Sequence, residues 1–308
     1  MARLSADFCE DMKAKLEVRM VYKDIKVVKN NASYEGLAHM IPDVTFSSAQ
    51  GVDLKMQIFV PVVNENAETK PVYPLIVYVQ GNGWTYPDVY REIPQISQFA
   101  RDGYVVATLA HRNCLEGHPF PAFLQDVKTG IRFLRKNSDK YHIDADRVAI
   151  WGISSGANAA LLTGLTGNDP RYETADHEGF SDSVKVVVDV CGPVEFMRKL
   201  SNLPSMNDGI KPIYEALRGE NTPENIERLM GIDAISHVTD GKEYPAFLLV
   251  HGDIDPIVDY SQSVKMYHRL CDAGAEASMV CVKGAGHEPS LWGREVLGLI
   301  KEFIDAHI

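Results

Sequence analysis

The chain has 308 residues, 45% of them apolar and 24% charged, the proportions of a soluble globular protein rather than a disordered or fibrous one. Lysine and arginine total 31 against 42 aspartates and glutamates, a formal net charge of −11, and no basic run is present, which excludes nucleic acid as a partner. No apolar stretch approaches the ~20 residues that span a bilayer, and Asp7, Glu10 and Asp11 fall where a signal peptide needs an unbroken apolar run, so a cytoplasmic protein without membrane contact is expected.

In chain order, residues 5 to 20 read as a short helix, and Leu54, Met56, Ile58 and Val60 alternate with Lys55, Gln57 and Phe59 as a strand with one polar-tolerant face. The later apolar runs, 74–79, 104–109, 147–151, 184–190, 246–250 and 278–282, lose this alternation. Strands buried on both faces read this way, as in a parallel sheet covered by helices. Between the runs, Leu124, Val127, Ile131 and Leu134, and later Val296, Ile300 and Phe303, recur at helical spacing. Strands alternating with helices predict βαβ units in one α/β domain over residues 1–308. Residues 196–242 break the alternation with Gly, Pro, Asn and Glu and helix-forming pieces at 213–217 and 223–229, which predicts a small cap-like helical insertion above the sheet. The five cysteines are odd in number and lack C-x-x-C spacing, so idle thiols are expected rather than disulfides or zinc.

Gly152-Ile153-Ser154-Ser155-Gly156 follows the strand 147–151 and opens the Ala-rich helical stretch 157–165. A strand-to-helix turn this sharp needs small residues on both sides if the serine hydroxyl is to project above the sheet. A serine is a weak nucleophile until a base takes its proton, so a histidine and a carboxylate are required downstream. Both follow strands in the same way: His251-Gly252-Asp253-Ile254-Asp255 after 246–250, and Gly284-Ala285-Gly286-His287 after 278–282. Three candidates at the carboxyl ends of parallel strands share the rim where ligands bind in open α/β sheets. Gln80-Gly81-Asn82-Gly83-Trp84 follows 74–79 and offers backbone N–H groups at the same rim, either as an oxyanion hole or as a plain turn. His111, His118 and His251 show no second pair at ligand spacing and read as loop or core histidines.

Taken together these segments resemble the α/β-hydrolase carboxylesterases, the group of bacterial feruloyl and acetyl-xylan esterases and hormone-sensitive-lipase-like enzymes. The resemblance runs from about Leu54 to the C-terminus. It rests on Gln80 to Trp84, similar to the family's H-G-G-G-W, on Arg112 with Pro119 to Ala122 and Gln125-Asp126, on Asp144 to Arg147, on Gly152 to Gly156, on Cys191-Gly192-Pro193, and on the Asp255 and His287 segments. It implies Ser154 as nucleophile, His287 as base and acid, Asp255 as the residue that orients it, and the amides of Asn82, Gly83 and Ser155 as the oxyanion hole. Asp253 competes with Asp255 in the same loop, and the family's H-G-x-x-D pattern selects Asp255.

Two departures stand out: Gln80 replaces the family's histidine and Asn82 its second glycine. An amide N–H remains at 82, and asparagine tolerates left-handed dihedrals, while its side chain narrows the pocket. Trp84 is expected in the core or lining the acyl pocket. Residues 1–45 have no counterpart, which leaves packing or a homo-oligomer contact as their role. The activity implied is hydrolysis of short-chain acyl esters, acetyl or feruloyl groups of plant carbohydrate among them, through an acyl-enzyme and without metal or cofactor. The rival readings are a prolyl-oligopeptidase-like serine exopeptidase, for which no propeller-sized domain is present, and a non-catalytic binding protein on the same scaffold, which would ordinarily have lost a member of the triad.

Overall fold

Apolar runs without alternation become strands here, buried on both faces in the interior of the sheet, whereas the run 278–282, expected to be buried likewise, is half-buried or exposed at the sheet's edge. The computed structural model describes residues 26, 28–48, 51–64, 66, 68–197 and 210–308, so the helix expected over residues 5 to 20 lies outside the described residues. The chain divides into two units after Tyr34, and every described strand and helix belongs to the unit Glu35–Ile308. Its strands are β1 (Ala38–Ser47), β2 (Leu54–Pro61), β3 (Tyr73–Val79), β4 (Val105–Leu109), β5 (Ile143–Ile153), β6 (Val186–Val190), β7 (Ala246–Gly252) and β8 (Ala277–Val282). They form one eight-stranded sheet in the order β1-β2-β4-β3-β5-β6-β7-β8. Pairings β1–β2 and β2–β4 are antiparallel and the rest are parallel. Strand β3 shows why its sequence carries no polar face: Leu75, Val77 and Val79 enter one apolar core, and Ile76 and Tyr78 the other.

The helices are α1 (Ile93–Arg101), α2 (Ala122–Lys136), α3 (Ser138–Tyr141), α4 (Ser155–Leu165), α5 (Ile210–Arg218), α6 (Pro223–Met230), α7 (Ser261–Asp272) and α8 (Arg294–His307). Helix α2 turns Leu124, Val127, Ile131 and Leu134 onto one core, where each is fully buried and contributes about 1.5–3 kcal/mol relative to exposure. Helices α1 and α8 cover the opposite face through Ile96, Phe99, Ile300 and Ile304. The insertion between β6 and β7 contains α5 and α6 among its described residues, with Tyr214, Leu217 and Leu229 joined to the α2 core. No described helix is long and apolar enough to cross a membrane.

Strand β1 was not expected. Its residues are mostly half-buried or exposed, it contains Pro42, and its register on β2 shifts between Ile41 and Val44. An edge strand with a bulge shows neither alternation nor a continuous apolar run. Arg112 and Asp126, which help to carry the resemblance, are structural. Their buried side chains pair at 2.8 Å, Asp126 also accepts the Arg112 N–H at 2.7 Å, and Arg112 donates to the Ala122 carbonyl at 3.2 Å. The pair thereby ties the end of β4 to the start of α2.

Candidate active site

The turn from β5 into α4 holds Ser154 at φ 55°, ψ −126°, a region that costs a non-glycine residue strain and persists only where its surroundings enforce it. Those surroundings are backbone: Ser154 N–H donates to the Val190 carbonyl at 2.8 Å, and three glycines permit the approach. A Cβ on Gly152 would run into Gly156, one on Gly156 into the Val79 carbonyl, and one on Gly81 into Ile153 and Ser154. The strand–turn–helix is therefore a packed unit of β3, β5 and α4 with Ser154 at its apex.

The Ser154 hydroxyl lies 2.9 Å from His287 Nε2, and His287 Nδ1 lies 2.7 Å from Asp255 Oδ2. With a carboxylate facing Nδ1, the imidazole carries its proton there and turns the Nε2 lone pair to the serine. Asp255 Oδ1 accepts the N–H groups of Ile257 at 2.8 Å and Val258 at 3.0 Å. Burial alone would raise the Asp255 carboxyl. The donors on His251 and His287 and the two amides outweigh it and hold the group well below the ordinary carboxylate range. The side chain of Asp255 is fully buried and that of His287 is 13% exposed, so the acid is shielded while the base reaches solvent.

The histidine of the H-G-x-x-D segment, read from sequence as a loop or core residue, sits against the carboxylate. His251 is fully buried, with Nε2 at 3.2 Å from Asp255 Oδ2 and 3.0 Å from the Val258 carbonyl. Two acceptors at Nε2 place the proton there, so Nδ1 accepts from the Ser263 hydroxyl at 2.6 Å. Ser263 carries no sequence signal, since only the fold brings α7 under the loop. Asp253 is exposed and accepts the Gly284 N–H at 2.6 Å, clamping the aspartate loop to the histidine loop without touching His287 Nδ1.

At the oxyanion loop the backbone N–H of Asn82 donates to the Ser155 hydroxyl at 3.0 Å. Gly83 and Trp84 both have positive φ, 61° and 58°. Trp84 is 5% exposed, donates from Nε1 to Asn158 at 3.2 Å, and stacks edge-on against Phe196 at 4.7 Å. Its ring also lines a cavity of about 150 Å³ that includes Ser154, Gly83, Phe196, Ile213 and Val258. Gln262 reaches this cavity, with Oε1 held by the amides of Val194 and Glu195 at 2.9 and 3.1 Å. A larger cleft of about 1,020 Å³, bordered by Asp169, Arg171, Glu227 and Lys242, contains none of these residues.

Cys191, Asp255 and His287 bring metal-ligating atoms within 4.8 Å of one another. Burial holds the Cys191 thiol well above its ordinary value, which keeps it neutral and a poor ligand, and the other two groups are already bonded to each other. The set is suited to moving a proton between His287 and a serine.

Residues 56–270 match the BD-FAE family, more than half of the chain. The chain belongs to the BD-FAE family. Among curated proteins, this BD-FAE chain is similar to esterase LipC of Mycobacterium tuberculosis, 28% identical over 71% of the chain and 53% of the relative. Esterase LipQ of the same organism is 30% identical over 66% of the chain and 47% of the relative. The chain thus spans about half the length of the curated relatives it matches. Among solved structures, a truncated carbohydrate esterase from gut microbiota superposes with a TM-score of 0.71 at 28% identity, covering 90% of this chain and 98% of the other. An esterase of Thermogutta terrifontis shares the fold, with a TM-score of 0.70 at 20% identity over 86% of this chain and 91% of that one. The sheet order and the helices on both faces make the BD-FAE chain an α/β-hydrolase fold.

Proposed function

We propose that this chain is a serine carboxylic-ester hydrolase. The observation that carries the proposal is the continuous hydrogen-bonded chain Ser154–His287–Asp255, at 2.9 and 2.7 Å, on the rim of the sheet. In this reading Ser154 Oγ attacks the ester carbonyl carbon while His287 Nε2 takes its proton. The imidazolium, stabilised by Asp255, returns that proton to the departing alkoxide. Water then gives a proton to Nε2 and attacks the acyl-enzyme, releasing the carboxylic acid and regenerating the serine. Backbone N–H groups of Gly83 and Ser155 stabilise the tetrahedral oxyanion. The Asn82 N–H, held by the Ser155 hydroxyl in this structure, joins them when that hydroxyl rotates away. The apolar cavity without a charged side chain beside Ser154 supports a short aliphatic acyl group such as acetyl. The likeness to a carbohydrate esterase supports a carbohydrate as the alcohol.

The test is a serine-directed fluorophosphonate together with a series of 4-nitrophenyl esters from acetate to octanoate. The wild-type chain is expected to be labelled on Ser154 and to favour the shorter esters. Ser154→Ala should be unlabelled and lose at least ~10⁴ in kcat. Ser155→Ala keeps its backbone N–H and loses one neutral hydrogen bond, about 0.5–1.5 kcal/mol, so it should stay within about tenfold of wild type. Esterase activity that survives in Ser154→Ala would overturn the assignment.

A further inference from the structure

The two departures from the family motif, Gln80 and Asn82, have side chains that do no chemistry at Ser154. Instead they fold the segment that follows. Gln80 Oε1 accepts the Asp88 N–H at 2.9 Å, and Asn82 Nδ2 donates to the Tyr86 carbonyl at 2.8 Å. The oxyanion loop and residues 86–90 are therefore one braced structure, and it presents Tyr86 and Tyr90 to solvent at 47% and 52% exposure. Two exposed tyrosines on one braced loop form an amphipathic surface with apolar faces and polar tips.

Opposite them, the edge of the sheet has been shaped to meet the loop. Asp43 occupies the register shift of β1 on β2, at φ 53°, where a bulge re-aims a side chain. Its backbone N–H donates to Gln57 Oε1 at 3.0 Å, Gln57 Nε2 donates to Asp43 Oδ1 at 3.1 Å, and Tyr90 Oη donates to the same oxygen at 2.9 Å. The fully buried Gln57 thus fixes Asp43, and Asp43 fixes the ring of Tyr90. Lys55 and Asp88 complete a cleft of about 310 Å³ around Asp43, Gln57, Tyr86 and Tyr90.

We propose that this cleft binds a pyranose ring of an oligosaccharide, as a sugar subsite separate from the Ser154 cavity, with which it shares no lining residue. The chemistry of the cleft selects that ligand class. A pyranose offers a flat apolar face of C–H groups that packs on an aromatic ring, and a rim of hydroxyls that both donate and accept. Tyr86 and Tyr90 supply the rings, Asp43 and Asp88 supply acceptors, and the Lys55 ammonium supplies donors. The balance of one cation and two carboxylates gives a neutral, multiply hydroxylated ligand more partners than a phosphate or a purely apolar group would find. The hydrogen bond from Asn82 Nδ2 to the Tyr86 carbonyl ties the cleft to the oxyanion loop, a brace that a glycine at position 82 would not give. The inference rests on the ester-hydrolase reading for its purpose, but the cleft binds sugar whether or not an ester is present.

The test therefore begins with binding. The full chain is titrated with xylotetraose, which carries no ester, by isothermal calorimetry and by ligand-observed NMR saturation transfer. Saturable binding is expected for wild type. Tyr86→Ala and Tyr90→Ala should each weaken it at least tenfold, and Tyr86→Phe, which keeps the ring, should stay within about threefold. Far-ultraviolet circular dichroism and the melting temperature report whether each variant is folded. In a second arm, 4-nitrophenyl acetate, which has no sugar, should be hydrolysed by Tyr86→Ala within twofold of wild type, while KM for an acetylated xylotetraose rises at least tenfold. No saturable binding to the wild-type chain, or binding that Tyr86→Ala leaves intact, overturns the subsite. Hydrolysis of 4-nitrophenyl acetate without xylotetraose binding leaves the esterase standing and removes the subsite. Xylotetraose binding that depends on Tyr86 without hydrolysis of either ester does the reverse.

Discussion

Two carboxylates of one loop show how much one hydrogen bond decides. Asp255 faces His287 Nδ1 at 2.7 Å and takes three further donors, from Ile257, Val258 and His251. Asp253 takes the Gly284 N–H on the outside of the loop. The amide isostere Asp255→Asn should lower kcat on 4-nitrophenyl acetate by roughly 10³ to 10⁴, through the wrong imidazole tautomer and an unstabilised imidazolium. Asp253→Asn should cost less than about tenfold, because its surface bond is worth about 1 kcal/mol. A large loss confined to Asp253→Asn would transfer the role. A third carboxylate, Asp189 on β6, is fully buried. Burial drives it up to about 7, against the Gly192 N–H and His251, which favour the charged form. Unfolded, it titrates near the ordinary aspartate value, so between roughly pH 4 and 7 the native state binds the extra proton. Stability from this group is therefore present at low pH and is lost as pH rises through that window. Asp189→Asn stays neutral and keeps an acceptor for the Gly192 N–H, which donates to Oδ1 at 2.8 Å. Urea unfolding should find this variant near wild-type stability at pH 4.5 and more stable at pH 8, by on the order of 2–4 kcal/mol.

At the level of elements, α2 is pinned at its middle by charge. Lys128 lies fully buried in the helix and donates to Asp182 at 2.8 Å and to the Thr166 carbonyl, just past α4, at 2.6 Å. Arg132, one turn later, reaches the other oxygen of Asp182 at 3.4 Å. Removing the shared acceptor leaves two cations buried without compensation. Asp182→Ala should therefore destabilise the fold by about 3–5 kcal/mol, a fall in Tm on the order of 10 °C by differential scanning calorimetry. A shift of only one or two degrees would mean that water replaces the carboxylate. The helical spacing of α2 was legible from Leu124, Val127, Ile131 and Leu134. Lys128 was not, because a lysine inside a helical pattern reads as a solvent-facing residue until its partner 54 residues away is in place. Strand β1 escaped for the related reason that its pairing with β2, and not its own sequence, makes it a strand.

Across the whole molecule, the site is closed by parts that lie far apart in the chain. Ile213, on α5 of the insertion, approaches the oxyanion loop so closely that a Cβ on Gly83 would sit 3.2 Å from its Cδ1. In the proposed ester hydrolysis it is a wall that would limit acyl length in the 150 Å³ cavity. Ile213→Ala should move the preferred ester towards longer chains. Each methylene newly accommodated is worth ~0.8 kcal/mol, about fourfold in kcat/KM, and the acetate-to-octanoate series measures the shift. An unchanged chain-length profile would place the acyl group elsewhere. What the sequence alone determined about this protein was the strands β2 to β8 and the loops that carry Ser154, the Asp253–Asp255 pair and His287, because the apolar runs mark those strands and each candidate follows one of them, while the choice of Asp255 over Asp253 came from the resemblance. The tertiary structure alone decided that His251 and Ser263 lie behind Asp255, that the Asn82 amide meets the Ser155 hydroxyl, and that Asp43, Gln57 and Tyr90 converge. Apart from His251 and Asp255, four positions apart, those contacts join residues 12 to 73 positions apart. Hydrogen bonds of that reach leave no periodicity in a sequence, since they exist only once the packing of both apolar cores has fixed where each backbone runs.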